Sequence, residues 1–208
     1  MRRECWQRWA VVLTAAVGLS VATVAVAVSS EDDARNFVQG TIDKVMAILH
    51  DDSIPLEKKK IEVEELAYQR FDFELISRLV LARNWQRFSP QQKSDFIDAF
   101  KKHLSATYRD TLDSFKDETI AISNARVEKN GDVTVMTRVK GATGDTQVDY
   151  RMRKGDAGWR GIDVIIEGVS LVQNFRSQAQ EIVSAEGPDG LIQKLRDKQI
   201  QSPRANKA

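Results

Sequence analysis

Apolar residues recur every three or four positions through the first half of the chain. This spacing predicts an amphipathic helix over residues 32–50 and a helix with an apolar side over residues 71–85. A second helix is expected between them over residues 56–69, after the helix-breaking stretch DDSIP. The charged run EKKKIEVEE in the second helix is typical of a solvent-facing surface. The first half of the chain is therefore predicted to be helical.

The start of a fourth, longer helix is the clearest local signal in the sequence. Ser89 can cap this helix, Pro90 suits its first position, and Gln92 completes a capping box. Large apolar side chains then continue at helical spacing, namely Phe96, Phe100, Leu104, Tyr108, Leu112 and Phe115. The helical region is therefore predicted to extend over residues 32–116.

From Thr119 onward apolar and polar positions alternate, which is the period of a β-strand. Four strands are predicted from the segments TIAISNARVE, DVTVMTRVK, TQVDYRMRK and GWRGIDVIIEG. The turns between them are short, so the strands should form an antiparallel meander over residues 119–168. C-terminal helices are predicted over residues 169–198, with a turn at 187–190. The predicted fold class is α+β, with a four-stranded antiparallel sheet packed against several helices.

The predicted sheet has one apolar face and one polar face, and the helices can cover the apolar one. The apolar side chains on these two facing elements are Leu75, Leu79, Phe96, Phe100 and Tyr108 on helices, and Val133, Val135, Val148, Tyr150, Val164 and Ile166 on strands. Their spacing fits either a filled core or the lining of a cavity. The polar face carries Arg138, Lys140, Arg151, Arg153 and Arg160. These basic residues are either simply solvated or dock against acidic partner surfaces or lipid head groups.

The N-terminal residues 1–27 have the three-part pattern of a secretory signal peptide. Three arginines precede an uncharged run over residues 9–28, and Ala-Val-Ala at 25–27 matches an A-x-A cleavage signal. The alternative is an uncleaved membrane anchor, because the run is long enough to span a bilayer, although its small residues would drive insertion only weakly. Cleavage would leave a single domain over residues 28–200 and a disordered tail over 201–208.

Composition and charge narrow the classes of function. The only cysteine, Cys5, lies inside the predicted signal peptide, so the exported protein would depend on a packed core rather than on disulfides. The net charge of +1 over 208 residues gives no reason to expect a nucleic-acid partner.

Few residues offer catalytic chemistry. His50 and His103 fall on different predicted helices, and each is interpreted as a surface or helix-end residue rather than a metal ligand. Asp163 and Glu167 would share one strand face about 13 Å apart, which is too wide for a two-carboxylate glycosidase. We interpret both acids as structural, bonded to backbone N–H groups of the following turn. The alternative is one acid with a raised pKa that acts as a general base.

Three segments of the chain closely resemble the MlaC family, also known as the toluene-tolerance family of periplasmic lipid carriers. They are LARNWQRFSPQQKSDFIDAFKKHLSATY, VDYRMRKGDAGWRGIDVIIEGVSLVQNFRSQ and GPDGLIQKLRDK. The shared marks are an aromatic helix after a Ser-Pro start, a V-D-Y strand, a Trp followed by D-x-x-x-E-G-V-S, and Gly-x-Asp-Gly-Leu before the last helix. The block from Trp159 to Ser170 is the specific part, and the loop GATGD departs from the family in being short.

The resemblance implies a curved sheet and helices that enclose an apolar cavity for the acyl chains of a phospholipid, without a cofactor. It also implies a monomeric carrier in the periplasm that maintains the lipid asymmetry of the outer membrane. Its partners would be an outer-membrane lipoprotein complex and an inner-membrane ABC transporter that bears an MCE-domain ring. A related branch is associated with hopanoids, so the type of lipid stays open.

Two other functions fit the residues. One is an isomerase-like or dehydratase-like enzyme on a cone-shaped α+β fold, with Asp163 or Glu167 as its base. The other is a membrane-anchored interaction module that holds no ligand. The carrier hypothesis differs from both in one requirement, an apolar cavity toward the upper end of about 300–1,000 Å³.

Overall fold

The computed structural model describes residues 29–115, 118–141 and 144–201 of the chain. The helices are α1 (Ser30–His50), α2 (Leu56–Arg70), α3 (Phe73–Leu81), α4 (Pro90–Tyr108) and α5 (Leu171–Arg196), with 3₁₀ helices at Ala82–Arg87 and Arg109–Ser114. The strands are β1 (Thr119–Val127), β2 (Val133–Gly141), β3 (Gly144–Gly155), β4 (Gly158–Ile166) and β5 (Val169–Ser170). The α+β prediction is confirmed, whereas the predicted signal peptide and residues 202–208 of the predicted tail lie outside the described residues.

Four of the described α-helices, α1, α3, α4 and α5, begin where the sequence supplies a capping side chain. Ser29 Oγ accepts a hydrogen bond from the backbone N–H of Asp32 at 3.1 Å at the start of α1. At the start of α4, Ser89 Oγ accepts from the N–H of Gln92 at 3.2 Å, and Gln92 Oε1 accepts from the N–H of Ser89 at 3.0 Å. This reciprocal pair is the predicted capping box.

The helix predicted over residues 71–85 is shorter than expected. The carboxylate of Asp72 accepts a hydrogen bond from the N–H of Leu75 at 2.8 Å and so starts α3 at the next residue. Phe71 is excluded from the helix because its extended backbone pairs in parallel with Gly161 of β4. A contact distant in sequence therefore sets this helix boundary.

The sheet is an antiparallel meander in the order β1-β2-β3-β4-β5, so it has five strands rather than the four predicted. The additional strand arises because Glu167 and Gly168 both adopt positive φ, at 49° and 79°. Two such residues are characteristic of a tight hairpin turn. The turn brings the two residues of β5 back beside Ile165 and Ile166 of β4.

A β-bulge in β4 changes which of its residues share a face. Gly161 and Asp163 pair with adjacent residues of β3, so Ile162 is an extra residue between them. Simple alternation places Gly161 and Asp163 on one face. The bulge instead puts Gly161 on the same face as Val164, and Asp163 on the opposite face.

Buried apolar residues form two clusters. The helical cluster lies between α3, α4 and α5, where the ring of Phe100 stacks on Phe96 at 5.6 Å and meets Phe175 edge-on at 5.0 Å. The sheet cluster joins α1 to the apolar face of the sheet and contains Ala34, Val38, Ile42, Ala125, Val133, Val135, Met152 and Trp159. The two clusters are separate, so the region between the helices and the sheet can contain a cavity that neither cluster fills.

The predicted C-terminal turn is a break inside α5. Gly187 has φ 73°, a backbone conformation that favours glycine. After the break Leu191, Ile192 and Leu195 are buried in the helical cluster. Among the residues that the structure describes, no helix combines the length and the apolar character needed to cross a membrane.

Candidate functional site

An apolar cavity of about 270 Å³ lies between the helical cluster and the sheet. It is surrounded by α2, α3, α4, β4 and the start of α5, and its apolar wall includes Val63, Ala67, Tyr68, Phe71, Phe73, Ile76, Phe100, Leu104, Tyr108, Leu112, Val164 and Leu171. Its volume lies just below the range of about 300–1,000 Å³ that is typical of small-molecule sites. It is therefore smaller than the cavity expected for a lipid carrier.

A second apolar cavity of about 140 Å³ adjoins the first. It lies under α1 and α2 against the apolar face of the sheet, where Ile120, Tyr150 and Met152 contribute to its wall. Val63, Ala67 and Phe71 belong to the walls of both cavities. These three side chains therefore separate the two spaces.

Phe71 is held in this position by its contact with Gly161. A Cβ atom added to Gly161 would lie only 2.5 Å from Cδ1 and from Cε1 of the Phe71 ring. The backbone N–H of Asp72 also donates a hydrogen bond of 3.0 Å to the carbonyl oxygen of Gly161. The ring can rest on β4 only because residue 161 has no side chain.

Charged side chains connect α2 to the 3₁₀ helix after α4 at one end of the larger cavity. Lys60 Nζ lies 2.9 Å from Glu57 Oε1 and 2.5 Å from Asp113 Oδ1, and Arg109 lies 2.7 Å from Glu57 Oε2. These contacts raise the pKa of Lys60 and lower the pKa of Glu57. We call these four residues, Glu57, Lys60, Arg109 and Asp113, the ionic bridge.

Asp163 is buried beside the cavity and its oxygen atoms bond to neighbouring groups. Oδ1 accepts a hydrogen bond of 3.1 Å from the N–H of Val172, and Oδ2 accepts one of 2.6 Å from Ser170 Oγ. Arg151 lies 3.5 Å from the same Oδ2 atom. The carboxylate thus joins β4 to the start of α5.

Glu167 belongs to the turn after β4, not to the strand as expected. Its carboxylate accepts a hydrogen bond from the backbone N–H of Gln147. Both acids are therefore bonded to local structure, although the partners of Glu167 lie on the neighbouring strand rather than in the following turn.

The model of the family described as MlaC protein matches residues 39–197, more than half of the chain. The chain belongs to the MlaC family. The resemblance seen in the sequence is thereby confirmed.

Two further similarities support membership of the MlaC family. The toluene tolerance protein ttg2D of Pseudomonas putida is 24% identical over 120 residues, which are 57% of this chain and 56% of that protein. The chain thus spans little more than half the length of this curated relative. A phospholipid-binding protein from Ralstonia solanacearum, solved in complex with a phospholipid, is 27% identical with a TM-score of 0.72. That match covers 80% of this chain and 96% of the other.

The cavities of this MlaC family member include four of the eleven residues predicted to line a binding site. Phe100, Tyr108 and Val164 lie on the wall of the larger cavity, and Tyr150 lies on that of the smaller one. The other seven are Leu75, Leu79, Phe96, Val133, Val135, Val148 and Ile166, and none of them lies on either wall.

These seven residues lie away from the cavity walls for different physical reasons. Phe96 is buried between other rings of the helical cluster, and α1 covers Val133 and Val135. Leu79 borders a depression on the opposite, polar side of the sheet. Leu75 is half-buried in α3, and Val148 and Ile166 pair with each other near one end of the sheet.

Sequence reasoning missed the contribution of α2. Val63, Ala67 and Tyr68 of this helix line the larger cavity, although only a solvent-facing surface was predicted for its charged run EKKKIEVEE. Its charged residues hide a narrow apolar stripe of Val63, Leu66 and Ala67 at helical spacing. That stripe is the signal that could have identified the helix as part of the site.

His103 is buried, which corrects its interpretation as a surface or helix-end residue, while His50 is exposed at the end of α1. The His103 ring meets Phe175 edge-on at 5.6 Å, and burial lowers the pKa of the imidazole. It borders a depression of about 410 Å³ whose wall carries charged residues. Within the described ranges, no three His, Cys, Asp or Glu side chains gather closely enough to hold a metal ion.

The other depression, next to Leu79, is also about 410 Å³ and is lined by charged side chains, including Arg151, Arg153 and Arg176. Both charged depressions exceed the apolar cavities in volume. They are weaker candidates for an apolar ligand because filling them would leave charged groups without water. Arg153 there forms two contacts with Asp132, at 2.6 and 2.7 Å.

Two tyrosines on the cavity walls, Tyr68 and Tyr150, stay protonated at neutral pH. Burial raises the pKa of Tyr68 to about 12, and its hydrogen bond to Glu64 adds to the effect. Burial also raises the pKa of Tyr150 to about 12. These side chains therefore present neutral rings to a ligand.

Proposed function

We propose that this protein is a periplasmic lipid carrier whose two apolar cavities hold the acyl chains of a phospholipid. The observation that carries the proposal is the pair of adjoining apolar cavities in a member of the MlaC family. The phospholipid complex of the similar protein from Ralstonia solanacearum supports the choice of ligand.

The physical need for such a carrier follows from the chemistry of the ligand. A diacyl lipid carries ~30 methylene groups, and each costs ~0.8 kcal/mol when it is exposed to water. More than ~20 kcal/mol therefore opposes the crossing of an aqueous space by a free lipid. A protein lowers this cost by burying the chains and needs no catalytic group for that task.

The proposed lining combines residues from the helices and the sheet. On the larger cavity it consists of Phe100, Tyr108 and Val164 together with Val63, Ala67 and Phe71, and Tyr150 adds the smaller cavity. A diacyl lipid needs more room than either space provides, so loading has to widen them. Displacement of α2 would widen both at once, because this helix contributes to both walls.

An enzymatic function that uses Asp163 or Glu167 as a base is less well supported. A general base needs a lone pair within reach of its substrate. Both oxygens of Asp163 accept hydrogen bonds from Ser170 and Val172. Glu167 is bonded to the backbone N–H of Gln147.

We further propose the cellular context that the family suggests. Residues 1–27 would direct export, residues 28–200 would form the lipid-binding domain, and residues 201–208 would be a disordered tail. The carrier would be a monomer and would shuttle lipid between an outer-membrane lipoprotein complex and an inner-membrane MCE-domain ABC transporter. This transfer would maintain the lipid asymmetry of the outer membrane. Hopanoid-related lipids are an alternative ligand class, since the cavity wall selects for apolar surface rather than for a particular chain.

Organic extraction and mass spectrometry of the protein, purified without detergent, test the proposed function. If the protein is a lipid carrier, we expect the extract to contain about one or more diacyl phospholipid molecules per protein chain. A hopanoid in the extract would show that the ligand is a hopanoid-related lipid rather than a phospholipid. An extract free of lipid, combined with no uptake from phospholipid vesicles, would contradict the proposal.

A further inference from the structure

Three cations border the larger cavity, and they differ in their charge partners. Lys60 and Arg109 belong to the ionic bridge, where the two acids balance them. Among the described residues, no carboxylate forms an ion pair with the third cation, Lys101. Its positive charge is therefore open to an anion from outside the protein.

Aromatic rings hold the ammonium group of Lys101 at the cavity wall. Lys101 Nζ lies 5.6 Å from the ring centroid of Tyr68 and 5.4 Å from that of Phe73. Both rings also line the cavity. Cation–π contact of this kind positions an ammonium group without neutralising its charge.

The position of Lys101 on α4 relates its charge to the apolar space. Leu104 and Ser105 follow it by three and four residues and line the same cavity, so all three lie on one face of the helix. Lys101 itself is half-buried. The charge thus sits where apolar wall gives way to solvent, which is where the polar end of a lipid lies when its chains are buried.

We propose that Lys101 binds the phosphate group of the lipid whose acyl chains occupy the cavity. The inference rests on the proposed carrier function and adds a head-group contact to it. A phosphodiester carries one negative charge and accepts charge-assisted hydrogen bonds from an ammonium group. Lys101 has three N–H donors for this purpose.

The other end of the cavity is a poorer site for a phosphate. An anion near Lys60 or Arg109 would also meet the carboxylates of Glu57 and Asp113. Toward the Lys101 end, the wall acid Glu64 accepts a hydrogen bond from the hydroxyl of Tyr68, whose ring Lys101 contacts, and among the described residues it forms no ion pair with Lys101. The uncompensated charge of Lys101 therefore favours its own end of the cavity.

A competition experiment tests this contact independently of the acyl chains. Delipidated protein is mixed with equal amounts of a phosphatidylglycerol and a diacylglycerol that carry the same two chains, and native mass spectrometry measures the ratio of the two complexes. The wild type should favour the phospholipid by about tenfold, as expected for a hydrogen-bonded charge pair. Lys101→Met keeps the apolar stem, and it should remove most of this preference while diacylglycerol still binds.

Two variants control for other effects of the substitution. Lys102→Met changes the next residue of α4, which borders the charged depression near His103, and should keep the wild-type ratio. Lys101→Arg should keep most of the preference. A wild type without preference, or a Lys101→Met protein with the wild-type ratio, would overturn the phosphate contact. Failure of both lipids to bind the wild type would instead contradict the carrier function itself.

Discussion

Gly161 allows the Phe71 ring to lie between the two cavities. Its missing side chain leaves room for the ring of Phe71, whose nearest atoms would lie 2.5 Å from an added Cβ. The same ring contributes to both cavity walls. The size of each space thus depends on a contact between a loop residue and a strand.

Gly161→Ala should destabilise the protein, because the new methyl group forces the Phe71 ring out of its position. Overpacking of this kind costs about 1–3 kcal/mol in the free energy of unfolding, measured by urea denaturation. Gly155→Ala is the matched control, since nothing lies within 4 Å of its added Cβ. Equal stability of the two variants would show that Phe71 is not held against β4.

The buried imidazole of His103 makes stability depend on pH. Burial, the largest cause, and the nearby charge of Lys198 lower its pKa from the ordinary 6.5, against hydrogen bonds to the backbone of Leu195 and Ile200. The unfolded chain therefore takes up this proton at a higher pH than the folded protein does. The resulting stability is fully present above about pH 6.5 and is lost as the pH falls from there toward the folded pKa.

His103→Gln should remove this loss of stability between neutral pH and about pH 5. In the wild type one such proton changes the free energy of unfolding by at most about 1.4 kcal/mol per pH unit. Urea unfolding at several pH values measures the slope. His50→Gln, which alters the exposed histidine at the end of α1, serves as the control. If the slope disappears in His50→Gln and persists in His103→Gln, the assignment to His103 is wrong.

At the scale of elements, α2 is the helix whose displacement would widen both cavities. It contributes to both cavity walls, and the ionic bridge attaches it to the 3₁₀ helix Arg109–Ser114. Glu57 is 68% exposed and Asp113 is 47% exposed. Salt and water weaken ion pairs that are this exposed, so the attachment can open without unfolding the protein.

Glu57→Gln should speed the release of bound lipid with little change in stability, because it removes the acid that joins Lys60 to Arg109. An exposed acid of this kind contributes little to its ion pairs, so we expect release to accelerate by only up to about fivefold. Transfer of a phospholipid with a fluorescent chain to acceptor vesicles measures the rate.

Glu62→Gln is the matched control for this prediction. Glu62 lies on the same helix, but its ion pair, 3.8 Å from Lys58, stays within α2. Higher salt should accelerate release from the wild type and have less effect on Glu57→Gln. Identical release rates for the two variants would contradict a role for the ionic bridge in closing the cavity.

At the scale of the whole molecule, the sequence predicts local structure better than it predicts the site. The capping box at Ser89 and the four long strands follow from neighbouring residues, and the structure contains them. The bulge at Ile162 and the start of α3 depend on tertiary contacts near Gly161, which local patterns do not encode. The bulge changes the sheet face on which residues of β4 lie, and the later start of α3 excludes Phe71 from the helix.

The same limit explains why only some of the residues expected to line a cavity lie on the cavity walls. Apolar spacing identifies buried positions, but a filled cluster and a cavity wall have the same pattern. Phe96 and Phe100 lie one helical turn apart on α4, yet only Phe100 reaches the cavity. The difference comes from α2 and β4, which leave space beside Phe100, and from Phe88, which packs against Phe96 at 5.9 Å.

Because the cavities lie between two packed clusters, lipid loading and folding should respond separately to mutation. Val164→Asp places a charge on the cavity wall, where acyl chains would strip it of water, and should reduce loading by at least about tenfold. Ile165→Asp is the control, since its side chain points to the opposite face of β4. Extraction and mass spectrometry give the lipid per chain, and thermal unfolding shows that each variant folds. Wild-type loading in a folded Val164→Asp protein would mean that acyl chains bind elsewhere.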